Sequence, residues 1–476
     1  MQLVKSITPK RIKTLHCLSL AFLVLFFSSV QPVFSQDNSP YSRYGIGDLV
    51  SPVHIINRGM GGISMGYSDP YSVNFSNPAS YSSFQALLET KSKKVMSGRA
   101  ILDVGVNFEN RTLREPNTTK AKFTASNALF SYIQVGLPIK NNWGLSFGLR
   151  PVSRISYNIV RNERLFDPIM GTPIDSATTN YTGTGGAYLV SVGTGFSIFR
   201  RAGSKGEEKQ KLSIGFNAGY YLGSKDYSTR RSLINDTVAY YQANYETKTN
   251  FGSLYVNAGL QYKTLLKENV LLTIGAAGNW GQKISATQDI LRETYLFDDN
   301  SGNLRLDSVS DKRNIKGKIN IPTSYTIGFI AQKFTVPNKE GGWMFGIDFT
   351  QQNWSQYRLY GQSDSLRNNW QIKVGGQLNP IPKRTYFSNV AYRFGFFMGP
   401  DYVKVQNSKL PQFGASFGLG LPVGRSSQAP NQVTLINLAF EYGKRGNNDN
   451  LLKETMFRFS LGFSLSDFWF IKRKYD

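Results

Sequence analysis

Apolar residues occupy every second position in many segments of this chain from about residue 100 onward. Gly, Ser, Asn, Thr or a charged residue stands between them, as in 102–108, 143–149, 343–349 and 457–465. A period of two puts successive side chains on opposite faces, which indicates β-strands with one apolar and one polar face. Fourteen segments follow the pattern, at roughly 100–109, 123–139, 142–150, 185–199, 210–222, 253–262, 268–281, 322–332, 341–350, 368–379, 388–398, 411–421, 432–443 and 455–466.

The lengths of the connections between these segments alternate. Only Lys140 and Asn141 follow the second segment, whereas about 34 residues follow the third. The connections after the fifth and seventh segments, about 223–252 and 282–321, are also long. Short turns at one end and long loops at the other are typical of an outer-membrane barrel. An even number of strands then predicts a periplasmic C-terminus, on the side of the short turns.

A string of β-sandwich domains is the alternative, since sandwich strands alternate in the same way. It predicts no rhythm of long and short connections, and no Pro/Ser-rich linker divides the chain. Tryptophans near the ends of the apolar rows, such as Trp143, Trp280, Trp343 and Trp370, suit the interfacial girdles of a barrel, although aromatic residues also fill sandwich cores. We therefore predict an all-β fold in which residues 98–476 form one 14-stranded antiparallel transmembrane β-barrel.

The N-terminal 35 residues have the features of a secretory signal peptide. Basic residues between Lys5 and Lys13 precede an apolar run from Cys17 to Val30, and Ser35 is small enough for cleavage after it. With a mean hydropathy of -0.30 and no apolar run of about 18 residues, a bundle of membrane helices is excluded.

Cys17 is the only cysteine and there are two histidines, which excludes a disulfide framework, multi-cysteine metal sites and an H-E-x-x-H site. We predict no catalytic residue, no metal and no cofactor.

Charged residues of both signs fall on the predicted inward face of the strands. A balanced set suggests mutual pairing within the lumen, since charges removed from bulk water need partners. It argues against a strongly ion-selective pore. For each residue taken singly, a solvated position on the wall is an equally good interpretation. The eight residues are Asp103, Glu109, Arg150, Asp348, Lys373, Arg393, Glu441 and Arg458.

Residues 36–97 are rich in Gly and Pro and do not follow the strand pattern. A wall of fourteen strands encloses more space than its own side chains fill, so this segment is predicted to fold into the lumen as a hatch. A periplasmic arm is the alternative. The apolar content, from Ile55 to Phe75, favours burial. Backbone freedom for the hatch would come from Gly59, Gly61, Gly62 and Gly66.

The stretch 58–66, with Asp69, 73–75 and Asn77-Pro78-Ala79 after it, resembles the N-terminal hatch of the FadL/OmpP1/TodX family. The resemblance implies a fourteen-stranded barrel plugged by a hatch, which passes long-chain fatty acids or aromatic hydrocarbons. It gives Asn77, Pro78 and Ala79 a role in shaping the hatch. Residues 39–48 and the ending 467–474 are similar to a Bacteroidota branch of such proteins. The ligand-contacting residues of the family have no matched positions here.

Two functional hypotheses follow. In the first, the barrel binds a hydrophobic or amphipathic small molecule and releases it across the outer membrane when the hatch shifts. In the second, it is a structural or adaptor subunit of an outer-membrane secretion or assembly complex with a closed plug, because related barrels serve as such partners. The expected partners are outer-membrane lipid and lipopolysaccharide, a hydrophobic ligand, the barrel-assembly machinery during insertion, and, under the second hypothesis, other outer-membrane proteins.

The chain has a formal net charge of +24 and a pI near 9.8. Nucleic acid is nevertheless excluded as a partner, because the compartment is wrong and no recognition motif is present. Basic residues in the short turns could contact lipid phosphates or an acidic partner, or could simply be solvated.

Overall fold

The structure is a computed structural model. It describes residues 39–88, 95–116, 118–119, 122–203, 208–234, 240–267, 269–298, 302–405, 409–423 and 431–469. The predicted signal peptide and the C-terminal residues from 470 onward lie outside this range.

Residues 39–88 form short elements that pack against the inner side of the wall, and we call them the lumenal segment. The elements are a 3₁₀ helix Pro40–Arg43, strand β1 (Asp48–Leu49), helix α1 (Ile55–Arg58), a 3₁₀ helix Pro78–Ser83 and strand β2 (Ala86–Leu88). The His54 side chain caps α1 by accepting from the Ile56 N–H, and Asn77 caps the second 3₁₀ helix in the same way.

Long antiparallel strands form the wall. In chain order they are β3 (Val95–Arg114), β4 (Phe123–Lys140), β5 (Trp143–Phe166), β6 (Pro173–Ala202), β7 (Glu208–Ile234), β8 (Gln242–Lys267), β9 (Val270–Asn279), β10 (Gln282–Asp298), β11 (Gly302–Ile321), β12 (Ser324–Lys333), β13 (Gly342–Gln352), β14 (Arg358–Leu359), β15 (Asn369–Asn379), β16 (Ala391–Pro400), β17 (Pro411–Val423), β18 (Val433–Arg445) and β19 (Lys453–Trp469). Two further 3₁₀ helices, Trp354–Gln356 and Tyr386–Asn389, lie in connections.

These strands make a closed 14-stranded barrel, as predicted. β9 and β10 both pair with β8 and form one interrupted wall strand, and β11 and β12 form the next. β14 adds a short pairing to β11. Closure is made by β19 on β3, from Lys453 opposite Arg114 to Trp469 opposite Gly98. Among the described residues, no helix is long and apolar enough to cross a membrane.

Side chains alternate across the wall with the expected period of two. In β3, Asp103 and Glu109 are buried, whereas Leu102 and Phe108 on the opposite face are 39% and 46% exposed. The apolar face is therefore outside and the polar face is inside, as the surrounding hydrocarbon requires.

The predicted long loops were wrong, because the strands continue through them. β5 and β6 stay paired as far as Phe166 opposite Pro173, so their connection is only 167–172. The hairpins β7–β8 and β10–β11 are extended in the same way. These segments carry no apolar row, because a strand that leaves the membrane is solvated on its outer face. The paired extensions of β5, β6, β7, β8, β10 and β11 form what we call the upper sheet.

The wall is not continuous between β4 and β5. These two strands pair only from Lys140 opposite Trp143 to Ile133 opposite Leu149. Beyond that point, residues 123–132 pair with β3 alone. β5 continues along β6 and turns its other edge to β1, with Ser153 opposite Leu49. We call this interruption the β4–β5 seam.

Candidate functional site: the lumen

The lumenal segment approaches the wall most closely where inward-facing wall positions are glycine. A side chain at Gly395 would collide with the backbone of Gly61, and one at Gly275 would collide with the Met65 carbonyl. Gly61 has a φ of 68° and faces the backbone of Phe396, so it needs glycine for both conformation and space. These glycines let backbone pack directly on backbone.

Asp103 on the wall holds two portions of the lumenal segment. Its Oδ2 accepts the Val73 N–H at 2.6 Å and lies 3.3 Å from His54 Nε2. Because His54 Nδ1 accepts from Ile56, the ring proton of a neutral His54 is on the nitrogen that faces Asp103. Both side chains are at most 1% exposed.

Asp348 also holds the lumenal segment, at one stretch on the other side of the lumen. Its Oδ2 accepts the backbone N–H groups of Ser64 at 2.7 Å and Met65 at 3.0 Å. Lys373 lies directly opposite Asp348 on the next strand. The prediction of mutual charge pairing therefore misses the main role of Asp103 and Asp348, which is to accept hydrogen bonds from the lumenal segment.

Alternating charges link the lumenal segment to the wall in one continuous chain. Arg58 Nη1 lies 3.5 Å from Glu441, which also receives Arg458 at 3.3 Å. Arg458 and Arg111 both bind Glu109, each at 2.7 Å. Of the eight predicted lumen charges, Glu109, Glu441 and Arg458 are thus brought together.

The chain of charges continues at the upper end of the lumen. Asp48 of the lumenal segment binds Arg111 at 2.5 Å and Arg445 at 2.8 Å. Arg445 also reaches Asp401 and Glu454, at 2.9 and 3.4 Å. Burial alone would raise the pKa of Asp48, but the two arginines lower this pKa below its ordinary value.

Sequence reasoning missed the residues Arg58, Asp48, Arg111, Arg445, Asp401 and Glu454. Arg111 and Arg445 could have been found, since they continue the inward rows of Glu109 and Glu441 with the same period of two. Asp48 and Arg58 lie in the irregular segment, where no periodicity assigns a side chain to a face.

Among the described residues, Arg150, Lys373 and Arg393 make no ion pair. Arg393 donates to Gln377 at 2.7 Å and Asn437 at 3.0 Å. Within the described portion of the chain, neither Arg150 nor Lys373 has a hydrogen bond or an ion pair, and the Arg150 guanidinium lies 5.9 Å from the centre of the Phe75 ring.

The predicted hatch motif ties the lumenal segment together. Asn77 is fully buried; its amide donates to the carbonyls of Met65 at 2.9 Å and Leu260 at 3.1 Å, and its oxygen accepts from Ala79. Pro78 begins the 3₁₀ helix, and Ala79 is 0% exposed. Of the predicted glycines, Gly61 and Gly62 have positive φ, while Gly59 follows α1 and Gly66 lies against Ile330.

The mouth of the lumen is covered by the start of the lumenal segment and two connections of the wall. The Gly45 N–H donates to Asp364 at 2.7 Å, and the Gly45 carbonyl accepts from Tyr357 at 3.2 Å and from Lys225 at 2.6 Å. Tyr402 donates to the Gly47 carbonyl. The upper end is therefore closed by a hydrogen-bonded layer.

A cavity of about 350 Å³ lies between this layer and the lower portion of the lumenal segment. Its lining includes Arg150 and Val152 of β5, together with Leu189, Tyr221 and Tyr255. Among the described residues, the buried Tyr221 hydroxyl has no hydrogen-bond partner. Arg150 and the Tyr221 hydroxyl, which both lack a partner within the described part of the chain, thus share an otherwise apolar side of the cavity.

This architecture is that of an outer-membrane β-barrel. The BamG family model matches residues 12–476, and the chain belongs to the BamG family.

Two solved structures are similar in fold. A Pseudomonas aeruginosa FadL homologue is 12% identical, with 89% of this chain and 100% of that chain covered and a TM-score of 0.52. The Pseudomonas putida toluene transporter TodX is 13% identical, with 88% and 99% covered and a TM-score of 0.47. None of the curated proteins matches this chain.

Proposed function

We propose that this barrel binds hydrophobic or amphipathic small molecules of the fatty-acid kind and transports them across the outer membrane, with residues 36–97 as its hatch and residues 98–476 as the barrel. The observation that carries the proposal is the β4–β5 seam. An apolar solute gains nothing by leaving through a water-filled pore, whereas an opening in the wall lets it pass directly into hydrocarbon.

The seam has the chemistry that such an exit needs. On its outer side β4 exposes Phe123, Phe130 and Ile133, each 38–39% exposed. On its inner side β5 carries Arg150 and Val152 into the cavity at the point where it leaves β4. Among the described strands, β1 alone pairs with that edge of β5, so a shift of the lumenal segment would uncover it.

One side of the cavity is apolar and carries Val152 and Leu189, while the lumen charges, among them Arg58, Glu441 and Arg458, line much of the rest. A lining of this kind suits an amphipathic molecule with one apolar and one charged end. Arg150 lies beside Tyr221 and Tyr255 and has no ion-pair partner among the residues that the structure describes, so it can pair with a carboxylate. The fold similarity to a FadL homologue supports a hydrophobic ligand.

Arg150→Gln tests this binding site. We expect the affinity for a fluorescent C16 carboxylate to fall about tenfold or more, because a charge-assisted pair is lost. Binding of the matching C16 alcohol should change little. Arg161→Gln, on the exposed portion of the same strand, is the control for lost charge. Equal affinity of the wild type and Arg150→Gln for the carboxylate would exclude this anchor.

Asn77→Ala tests the hatch. The variant removes hydrogen bonds that join separate stretches of the lumenal segment to one another and to the wall, so we expect altered uptake of labelled fatty acid by cells that depend on this protein. Asn110→Ala, which loses one exposed bond to Ser126, is the control. Unchanged uptake in Asn77→Ala would count against hatch movement.

A second candidate is a subunit of the barrel-assembly machinery, and membership in the BamG family favours it. The closed mouth and the continuous chain of lumen charges suit a barrel that stays plugged. This role predicts a stoichiometric complex after gentle extraction. Native mass spectrometry separates the two candidates: a hydrophobic adduct supports transport, and a defined protein complex containing barrel-assembly components supports the subunit.

A further inference from the structure

Exposed aromatic residues mark one limit of the apolar band on the outer wall, where β9 ends and β12 begins. Trp280 is 55% exposed and Tyr325 is 47% exposed. Below them the outer face carries Ile274 and Ile327, which are 51% and 53% exposed. Trp and Tyr lie at the level of lipid headgroups in membrane proteins. The residues that follow at the start of the upper sheet are therefore at phosphate level.

Three lysines occupy this level on two neighbouring strands. Lys283 of β10 and Lys316 and Lys318 of β11 lie on the outer face, whereas Ile284 and Ile319 on the opposite face are buried. In the register, Asn320 lies opposite Lys283, Lys318 opposite Ser285, and Lys316 opposite Thr287. With strands about 4.8 Å apart and a rise of about 3.4 Å per residue, adjacent lysines start within roughly 8 Å of each other. We call them the lysine cluster.

The lysine cluster has no carboxylate partner in the described ranges of the chain. Within the described residues, none of the three lysines makes an ion pair or a side-chain hydrogen bond. Other cations of the upper sheet do pair: Lys248 with Glu246 at 3.0 Å and Arg313 with Asp311 at 2.9 Å. The next carboxylate on this face, Asp289, already accepts the Asn314 N–H at 2.8 Å.

We propose that the lysine cluster binds the phosphate groups of lipid A in the outer leaflet. Ammonium groups bind phosphate as point charges, and long lysine stems can converge on one group. The apolar band directly below would receive the acyl chains, which a free phosphate lacks. Lipid A is the lipid of the leaflet that a protruding sheet on the extracellular side implies. The binding site lies on the outer wall and is independent of the lumen.

The test is native mass spectrometry of the purified full-length barrel in detergent, titrated with lipid A. The variant is Lys283→Gln, Lys316→Gln and Lys318→Gln combined. The control combines Lys248→Gln, Lys312→Gln and Arg313→Gln, which removes equal charge from the same sheet. We expect the variant to bind lipid A on the order of a hundredfold more weakly and the control to match the wild type.

Two comparisons identify the ligand. Dephosphorylated lipid A should bind the wild type as weakly as intact lipid A binds the variant. Phosphatidylglycerol and inorganic phosphate should fail to displace lipid A at equal concentration. Equal binding by variant and wild type, or displacement by either competitor, would overturn the proposal. Unchanged heat-modifiable migration on gels verifies that the variant barrel is folded.

Discussion

At the scale of single residues, two carboxylates on the wall hold the lumenal segment by its backbone. Asp103 and Asp348 accept N–H groups that would otherwise be buried without partners. Backbone groups in irregular segments cannot satisfy one another as strands do, so the wall must supply acceptors. These two residues therefore matter more for order in the lumen than for its electrostatic potential.

Asp103→Ala leaves the Val73 N–H without its acceptor. The loss of a buried acceptor costs about 1–3 kcal/mol, so we expect exchange of the Val73 amide to quicken about tenfold to a hundredfold. Hydrogen exchange with mass spectrometry of peptides from 70–76 measures it. Asp311→Ala, in an exposed ion pair, is the control. If protection of Val73 survives in Asp103→Ala, the bond does not hold the segment.

Asp48→Asn should destabilise the barrel at neutral pH, because Arg111 and Arg445 lose the nearer of the two carboxylates that they share, Glu454 being the other. The lowered pKa of Asp48 means that this stability is fully present above the ordinary carboxyl pKa, near 4, and is lost as pH falls through the lower folded value. The difference in urea midpoint between wild type and variant should stay constant from pH 8 to 5 and narrow below pH 4. A difference that vanishes already at pH 6 would contradict this.

At the scale of elements, the strands were predictable and the lumenal segment was only partly so. The period of two gave every wall strand its inner and outer face, as the Asp103 and Leu102 rows illustrate. The prediction failed at the upper ends of the strands. There β5 continues through Arg161 and Arg164, and its outer face no longer carries an apolar row. In the lumen, Arg58 pairs with Glu441 across almost the whole chain, and no local pattern encodes such a contact.

Gly395→Ala should disturb the packing of the lumenal segment against the wall. Its Cβ would collide with the backbone between Met60 and Gly61, so the lumenal segment must move. We expect ion conductance of single barrels in planar bilayers to rise above that of the wild type. Gly443→Ala is the matched control, because its Cβ meets nothing closer than the flexible end of Met456. Equal conductance of all three proteins would mean that the segment adapts without opening a path.

At the scale of the whole molecule, the barrel has a smooth end with short turns and an end that carries the upper sheet. Strands of up to 30 residues in β6 extend well past the 9–11 that cross a membrane. The fourteen strands were predictable because the wall repeats one physical rule. The upper sheet was not predictable, because solvated strands and loops have similar compositions.

Labelling of introduced cysteines tests the predicted orientation. The single natural cysteine, Cys17, lies in the predicted signal peptide. Ile169→Cys is at the tip of the upper sheet, where Ile169 is 92% exposed, and Arg384→Cys is in a turn at the opposite end. We expect an impermeant maleimide to label intact cells only at position 169, and to label position 384 after permeabilisation. The reverse labelling pattern would show that the barrel has the opposite orientation in the membrane.

The β4–β5 seam also makes one joint of the wall weaker than the joint that closes the barrel. The first and last wall strands, β3 and β19, pair along residues 98–114 of β3. β4 and β5 are joined by a tight turn and pair only along residues 133–140 of β4. Lateral tension in the membrane would therefore pull these sequence neighbours apart before it separated the first and last strands. The barrel would then widen at the seam while β3 and β19 stay paired.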